Sequence, residues 1–558
     1  MNKKLSLGLL FVILVIATFF RVWRLDYQES RTRGAWPTPA STPPGLFPDE
    51  AMNGNNAHEA LGTLRSGQGF QVYYPENFGR EGLFINLQAL SIKVFGHTSF
   101  ALRIMSALFG ILTVLAIYLF TREYTKNEYV ALIAGALLAT SFWHVMFSRI
   151  GFRAIMAPFF LTAALWALYY VYNRLDNSKH THLVMISVLG GIFFGLGFYS
   201  YIAYRVAPLL LLPVLFLFYK KAKKEKDSCI ICLPAIYLFA AFIVAIPIGL
   251  YYTQHPQDFF GRTSQISIFS QPNPLEAFAT NLGKTVGMLY YAGDFNWRHN
   301  WPGLPSLWWP VAIFFTVGLL DVIRKKYWLI PLWLAAMTLP VAISSEGLPH
   351  ALRAIVMIPP VYVCAALGFY LVFSSIINWF KKQEEHHADL EALLKVIQFS
   401  IGVLGFIILI AVGSNTYNWY FLRWSIRPEV AQAFGGDLYQ IGLFLTHPEF
   451  KTIPKYIITS SVDSIDVTGR PMELEPILFA SETYLPDSPG SKNTFYLTLK
   501  QINTIQCNPD CAIIPIDNLQ PTLGALKKRI PSLKLCKSSD SGLLVAWPAQ
   551  KPGFLCSE

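Results

Sequence analysis

The chain has 558 residues, of which 53% are hydrophobic and only 14% are charged, and its formal net charge is +11. This composition excludes an ordinary soluble protein of several domains, because repeated apolar stretches of about 20 residues are typical of transmembrane helices. It also argues against a nucleic-acid partner, since the basic residues cluster in short loops between apolar stretches, as the positive-inside rule describes for membrane proteins.

The first apolar stretch runs from Leu5 to Phe20 and follows a short basic start. A secretory signal peptide would be followed by a small-x-small cleavage site, whereas Phe19, Phe20, Arg21 and Trp23 stand there. We therefore interpret the stretch as an uncleaved first span whose N-terminus is cytoplasmic.

Further apolar stretches follow at regular intervals. They lie near 104–121, 129–147, 157–172, 183–199, 204–219, 229–252, 306–323, 328–343, 354–378 and 396–413. The stretch 83–95 is short for a span, and if it crossed, the later basic loops would move to the outer side, so we predict a helix in the outer interface. The pattern predicts an all-α polytopic domain over 1–413 with about eleven transmembrane helices, multi-pass in the plasma membrane, with a long outer loop at 21–101.

Residues 414–558 differ in character, because continuous apolar stretches stop there. Amphipathic or mixed patterns predict helices at Glu429–Leu445 and Leu519–Ile530. Short alternating stretches predict strands at Tyr456–Ser460, Thr494–Leu499, Ala512–Ile516 and Leu543–Trp547. We expect a small α/β domain on the extracytoplasmic side of the membrane.

Four of the seven cysteines fall in this C-terminal region, at Cys507, Cys511, Cys536 and Cys556. In an oxidising compartment they allow two disulfides. A four-thiolate zinc site is the alternative, although the spacing is not that of a zinc ribbon.

Asp49 and Glu50 are adjacent carboxylates in the predicted outer loop, just after Pro48. One interpretation is a helix start, in which Asp49 caps the helix and the helix dipole favours Glu50 in the first turn. The other is chemical, because a carboxylate can take the proton of an acceptor hydroxyl as a general base.

Polar residues collect on the same predicted outer face. Those we consider candidates for substrate binding are Arg80, Glu81, Arg103, Arg149, Arg153, Tyr204, Arg205, Asp294, Arg298, His299, His350 and Arg353. Each arginine alone is compatible with snorkelling or capping a helix end. Together they suit a phosphate, because the guanidinium fork binds two oxygens and keeps its charge. This pattern suggests group transfer from a lipid phosphate to a hydroxyl, with the arginines neutralising the leaving phosphate.

His350 and Arg353 are three residues apart, so a helix would place them on one face. We predict that Arg353, with His350 and Arg205, binds the donor phosphate. A neighbouring imidazole would add a possible proton donor for the leaving group.

Several segments together resemble a known family. They are Pro48-Asp49-Glu50-Ala51, Gly79-Arg80-Glu81-Gly82-Leu83-Phe84, Phe95-Gly96 with Ala101-Leu102-Arg103, Ser148-Arg149-Ile150-Gly151-Phe152-Arg153-Ala154, Tyr199-Ser200-Tyr201-Ile202-Ala203-Tyr204-Arg205, Gly293-Asp294-Phe295-Asn296-Trp297-Arg298-His299-Asn300 and His350-Ala351-Leu352-Arg353-Ala354. In order and loop placement the chain resembles the GT-C membrane glycosyltransferases of the glycosyltransferase 39 group, which includes protein O-mannosyltransferases and lipid A aminoarabinose transferases. The resemblance covers about residues 1–375, and Glu81-Gly82 departs from it where many relatives have a proline pair.

The resemblance implies a GT-C fold and transfer of a sugar from a polyprenyl-phosphate donor at the outer face of the membrane. It implies that Asp49 acts as the base or positions the acceptor, with Glu50 in support. The acceptor hydroxyl would belong to a protein, a lipid or a glycan. No metal site or cofactor is predicted, although Asp49 and Glu50 could help to bind a divalent cation.

Two other classes of function explain part of the pattern. A transporter or flippase of lipid-linked sugars would account for the spans and the arginines, but not for paired carboxylates in a loop. It would also need a charged residue in the middle of a span for a proton relay. A non-catalytic scaffold is the weaker alternative.

Overall fold

The computed structural model describes residues 2–25, 41–63, 69–176, 180–227, 229–386, 391–446, 452–459, 471–485, 491, 493–507, 510–517, 519–538, 544–548 and 554–557. Two residues that bound predicted strands, Ser460 and Leu543, lie outside these residues.

The first three quarters of the chain are helical, as the apolar stretches predict. The helices are α1 Lys3–Val22, α2 Pro48–Thr63, α3 Leu83–Phe95, α4 Ser99–Thr125, α5 Glu128–Ala139, α6 Phe142–Phe147, α7 Met156–Tyr172, α8 His180–Gly197, α9 Leu211–Glu225, α10 Cys229–Gln254, α11 Pro256–Gln265, α12 Pro274–Gly287, α13 Trp309–Arg324, α14 Leu329–Ala342, α15 Ile358–His386 and α16 Glu391–Tyr417. Within the described part of the chain, eight helical stretches are long and apolar enough to cross a membrane. Three shorter apolar helices, α3, α5 and α14, accompany them. The chain is a multi-pass membrane protein, and the count of about eleven spans stays a prediction.

The predicted span 129–147 is interrupted in the structure. Helix α5 ends at Ala139, and Ser141 caps the short helix α6 by accepting a hydrogen bond from the backbone N–H of His144. The buried side chain of Arg21 from α1 donates to the carbonyls of Ala139, at 2.9 Å, and Leu138, at 3.2 Å. These bonds satisfy carbonyls that the end of α5 leaves without a helical partner.

Close helix contacts in the membrane domain are made by small residues. Gly318 in α13 lies against α15 so closely that a Cβ atom there would meet the Cys364 carbonyl oxygen at 1.8 Å. Such approaches of two backbones are typical of packing between membrane helices.

The C-terminal region forms the predicted α/β domain. Its helices are α17 Pro428–Ala433, α18 Gly436–Leu445, α19 Glu475–Ala480 and α20 Leu519–Arg529. Two short strands in the outer loop, β1 Tyr73–Tyr74 and β2 Arg80–Glu81, precede the strands of this domain, which are β3 Lys455–Thr459, β4 Thr494–Thr498, β5 Ala512–Pro515, β6 Lys534–Ser538, β7 Leu544–Trp547 and β8 Phe554–Ser557. The domain's sheet has the order β4-β3-β5-β7-β6-β8. Strand β3 is parallel to β4 and β5, and the other pairs are antiparallel.

The predicted helix Glu429–Leu445 is two helices in the structure. Gly435 has φ +59, a left-handed conformation that a helix interior does not contain, and the chain turns there between α17 and α18. Strands β6 and β8 were not predicted. They are joined by the disulfide Cys536–Cys556, and Cys507 is bonded to Cys511, so the prediction of two disulfides is confirmed.

The C-terminal domain packs on α2, the helix that begins beside Asp49. Asn55 of α2 donates to the carboxylate of Glu475 at 2.6 Å, and Phe479 of α19 lies against Gly54. Both Asn55 and Glu475 are buried. The domain therefore holds the helix that carries the predicted catalytic carboxylates.

Candidate active site

Glu50 is fully buried at the start of α2, and its oxygens are occupied by protein donors. Arg103 of α4 donates to both carboxylate oxygens, each at 3.0 Å. The backbone N–H groups of Gly151, at 2.6 Å, and Phe47, at 3.2 Å, donate to the same carboxylate. Glu50 thus joins three segments and has no free oxygen for a reactant, so its geometry is that of a positioning residue and not of the catalytic residue predicted.

Asp49 differs from its neighbour, because its carboxylate is only half-buried. Among the described residues its single hydrogen-bond partner is Asn77, whose side-chain amide donates to Oδ1 at 2.9 Å. Both acids lie in the first turn of α2, where the helix dipole favours negative charge, but α2 begins at Pro48, so Asp49 does not cap it as the helix-start interpretation expects. A carboxylate held at one oxygen and open at the other can accept a proton.

Arg298 lies against the start of α2. Its guanidinium stacks over the Phe47 ring, with the ring centre 4.0 Å away, and its Nε donates to Asn296 at 3.3 Å. Its two terminal nitrogens make no hydrogen bond to any described residue. Burial lowers the pKa of Arg298, while Asp49 and Asp294 oppose that shift by attraction. Arg298 therefore lies in the field of both carboxylates without forming an ion pair with either.

Asp294 joins the loop that carries Arg298 to the loop before α15. Its Oδ2 lies 2.9 Å from His299 Nδ1 and accepts from the backbone N–H of Ala351 at 2.8 Å. The His350 ring is 4.9 Å from the His299 ring. Burial lowers the pKa of His299, and it holds the pKa of His350 well below the usual range. Burial therefore favours the neutral form of both imidazoles.

Arg80 is buried, and most of its N–H groups are used by its own chain. Its terminal nitrogens donate to Asn53 at 2.7 Å, to Asn56 at 2.6 Å and to Glu76 at 2.9 Å, and its Nε donates to the Glu76 carbonyl at 3.4 Å. It attracts Asp49, and four of its five N–H groups are engaged in this conformation. The structure thus indicates that Arg80 acts on Asp49 by electrostatic attraction, whereas the sequence analysis predicted substrate binding.

Arg153 forms an ion pair with Glu81, the last residue of β2, in which its Nε lies 2.6 Å from Glu81 Oε2. Arg153 also donates to the Gly79 carbonyl at 3.4 Å. Its side chain remains 23% exposed. The pair therefore keeps one side open to solvent, and its role in substrate binding stays a prediction.

Arg103 and Arg149 are fully buried, and the geometry contradicts direct substrate binding by them. Arg103 donates to the carbonyls of Pro43 and Gly45 besides Glu50. Arg149 donates to the carbonyls of Phe20, Trp23 and Thr42. Both arginines thus form hydrogen bonds with the segment before α2 and hold it against the membrane helices.

Tyr204 is also misassigned by the sequence prediction. Its ring is buried against Phe194 and Phe198 in the helical core, beneath Gly197. Its hydroxyl has no hydrogen-bond partner among the described residues. It is a packing residue.

Arg205 and Arg353 were predicted to bind the donor phosphate, and both are engaged elsewhere. Arg205 donates to the Phe259 carbonyl at 2.6 Å and to the Tyr252 hydroxyl at 3.0 Å. Arg353 donates to Ser344 and to both the backbone and the carboxylate of Glu346. In this conformation the terminal nitrogens of both forks are used by the chain itself.

Sequence reasoning missed the asparagines of the site. Asn77 holds Asp49, and Asn53 and Asn56 hold Arg80. The three asparagines within Asn53-Gly54-Asn55-Asn56 on a predicted helix were a usable signal, since asparagine is unfavourable in helix interiors unless its amide is used.

The architecture is that of the GT-C fold, a fold of integral membrane glycosyltransferases. ArnT from Cupriavidus metallidurans, solved bound to undecaprenyl phosphate, superposes with a TM-score of 0.56 at 12% identity and covers 99% of both chains. The apo oligosaccharyltransferase of Archaeoglobus fulgidus superposes with a TM-score of 0.50 at 15% identity, covering 86% of this chain and 64% of that one. At these identities the likeness shows the fold, and it confirms the fold that the sequence predicts.

At the level of sequence, residues 83–251 match the family model of dolichyl-phosphate-mannose-protein mannosyltransferases. A polyprenol-phosphate-mannose–protein mannosyltransferase of Corynebacterium glutamicum is 43% identical over 82 residues. That match spans 15% of this chain and 16% of the length of the relative.

Proposed function

We propose that the chain is a membrane glycosyltransferase that moves a sugar from a polyprenyl-phosphate donor to a hydroxyl acceptor. The partial family match favours mannose as the sugar and a protein hydroxyl as the acceptor. The fold likeness to ArnT bound to undecaprenyl phosphate supports a polyprenyl phosphate as the leaving group.

The observation that carries the proposal is the juxtaposition of Asp49 with Arg298. Among the described residues, Asp49 has one carboxylate oxygen without a hydrogen-bond partner, and Arg298 has two terminal nitrogens without one. The two attract each other without being paired. A base and an anion-binding group held near each other, but not neutralised by each other, are what group transfer from a phosphate needs.

In the proposed step, Asp49 takes the proton of the acceptor hydroxyl. The acceptor oxygen forms a bond to C1 of the sugar as the bond from C1 to the phosphate oxygen breaks. Polyprenyl phosphate leaves with the electron pair of that bond, and the fork of Arg298 binds the phosphate oxygens as their charge increases.

A cavity of about 240 Å³ suits the first isoprene units of the donor. It lies between the outer loop, the start of α3 and helices α8 and α10. It is lined mostly by apolar groups, from Phe70, Gln71, Val72, Leu83, Asn86, Leu196, Tyr199, Val244 and Pro247. We propose that it accepts the part of the chain nearest the phosphate, because burial of apolar surface there is favourable.

The direct test is turnover by the purified full-length protein in nanodiscs. Polyprenyl-phosphate mannose, labelled in the sugar, is incubated with serine- and threonine-containing peptides. Expected is release of polyprenyl phosphate together with labelled peptide. A second assay uses the same protein in liposomes. If labelled donor crosses the liposome membrane without release of polyprenyl phosphate, the chain is a transporter and the proposal is wrong.

Arg298→Ala should weaken binding of polyprenyl phosphate about 10- to 100-fold, the range for loss of a hydrogen bond to a charged group. Arg298→Lys should lie in between, because lysine keeps the charge but not the bidentate fork. The measurement is a titration of the protein with polyprenyl phosphate, followed by tryptophan fluorescence.

Arg205→Lys is the matched control, since the Arg205 fork is occupied by Phe259 and Tyr252. Its phosphate affinity should change much less than that of Arg298→Lys. The reverse order would support the sequence prediction, in which Arg205 binds the phosphate together with Arg353 and His350.

We also propose that the N-terminus is cytoplasmic and that the C-terminal domain, with its two disulfides, is extracytoplasmic. A reporter fused after Lys224 should then be cytoplasmic, and one fused after Glu558 should be outside. Both reporters on one side would contradict the predicted count of eleven spans.

A further inference from the structure

Three potential metal ligands meet beside Arg298. Asp294 and His299 belong to the loop between α12 and α13, and His350 belongs to the loop between α14 and α15. One donor atom from each lies within 4.8 Å of the other two. Asp294 Oδ2 is 2.9 Å from His299 Nδ1 and 4.0 Å from His350 Nδ1.

We propose that Asp294, His299 and His350 bind a divalent transition-metal ion of the Zn²⁺ class. Tetrahedral zinc with ligands at about 2.0–2.2 Å places neighbouring donor atoms about 3.4 Å apart. The two separations in the structure bracket that value, so small ring rotations bring the three donors to one ion.

The donor set indicates which ion fits. Two imidazole nitrogens and one carboxylate suit zinc and its neighbours in the first transition row. Magnesium and calcium prefer shells made of oxygen. Three protein ligands leave a fourth position for water or for an anion.

The surroundings of Asp294 also resemble an outer shell of a metal site. Asp294 Oδ1 accepts from the backbone N–H of Asn296 at 2.8 Å, and Oδ2 accepts from that of Ala351 at 2.8 Å. Asn300 fixes the loop by donating to the Asp294 carbonyl at 3.1 Å. Such bonds orient a ligating carboxylate.

A plain hydrogen-bonded pair of Asp294 and His299 is the competing explanation. It accounts for the 2.9 Å contact but does not require His350 beside it. Metal binding requires all three residues, so substitution of His350 separates the two explanations.

The test uses the full-length protein in detergent, with Cys229→Ser and Cys232→Ser removing the two exposed thiols that could bind metal elsewhere. The protein is dialysed against a chelator and titrated with Co²⁺ and then Zn²⁺. Expected are one equivalent of bound metal, the visible absorption of tetrahedral Co²⁺ that Zn²⁺ abolishes, and a rise in thermal midpoint with Zn²⁺.

His350→Gln and Asp294→Asn should each lower the metal affinity at least about 100-fold. This loss is larger than the one expected for a residue that only hydrogen-bonds to a metal ligand. His255→Gln is the matched control, because this histidine lies between α10 and α11, outside the three-residue cluster, and stacks on Tyr251. The inference is overturned if the parent protein binds no metal at micromolar concentrations, or if His350→Gln binds it as tightly as the parent. Because metal is measured directly, these outcomes do not depend on whether sugar transfer is detected.

Discussion

Asp49→Asn should lower the rate of sugar transfer by about 10²- to 10⁴-fold, the usual contribution of a general base. The amide is nearly isosteric and can still accept from Asn77, so the start of α2 should stay in place. What the variant loses is the ability to take a proton. Initial rates with saturating donor measure this, and donor affinity measured separately should change little.

Asp176→Asn is the matched control for this substitution. Asp176 is 65% exposed in the loop before α8, where it pairs with Lys221. Its loss should leave the transfer rate within about twofold, because pairs at the surface contribute little. If Asp49→Asn retains a rate similar to this control, Asp49 is not the base.

Glu50→Gln should lower the stability of the folded protein by about 3–5 kcal/mol, the usual cost of removing one partner from a buried ion pair. The guanidinium of Arg103 would stay buried with two of its carboxylate contacts weakened. The hydrogen bond from the Phe47 backbone N–H to Glu50 would be weakened as well, and the Phe47 ring is the surface on which Arg298 stacks. Thermal unfolding in detergent and donor binding should therefore both be impaired.

Glu225→Gln provides the comparison, because Glu225 pairs with Lys221 at 3.7 Å on a partly exposed surface. The thermal midpoint of the Glu225→Gln variant should be close to that of the parent protein. The double variant Glu50→Gln, Arg103→Gln should recover part of the lost stability, since it leaves no unpaired charge. A Glu50→Gln protein as stable as the parent would mean that the pair contributes nothing to the fold.

The membrane helices could be predicted because their apolar composition is a strong and local signal. The start of α2, the helix Leu83–Phe95 and four strands of the C-terminal sheet were also predictable from local pattern. The positions at which a helix is interrupted were harder to predict. Thr140 and Ser141 stand in an apolar stretch, and the turn there is stabilised by Arg21, which is distant in sequence.

The roles of the arginines could not be predicted, because their residue type is the same and their partners differ. Arg149 meets backbone carbonyls of α1 and of the segment before α2. Arg298 meets an aromatic face and keeps two nitrogens free. Only tertiary contacts distinguish an arginine that fastens the chain from one that is open to a ligand.

The bond between Asn55 and Glu475 joins residues 420 positions apart. During synthesis, the helix that begins beside Asp49 therefore leaves the ribosome long before its partner exists. The membrane helices can be inserted while the buried side chain of Asn55 still lacks its acceptor. The loop with Asp49 reaches its final form only when the last quarter of the chain has been translated and folded, so a nascent or truncated polypeptide should be inserted yet inactive.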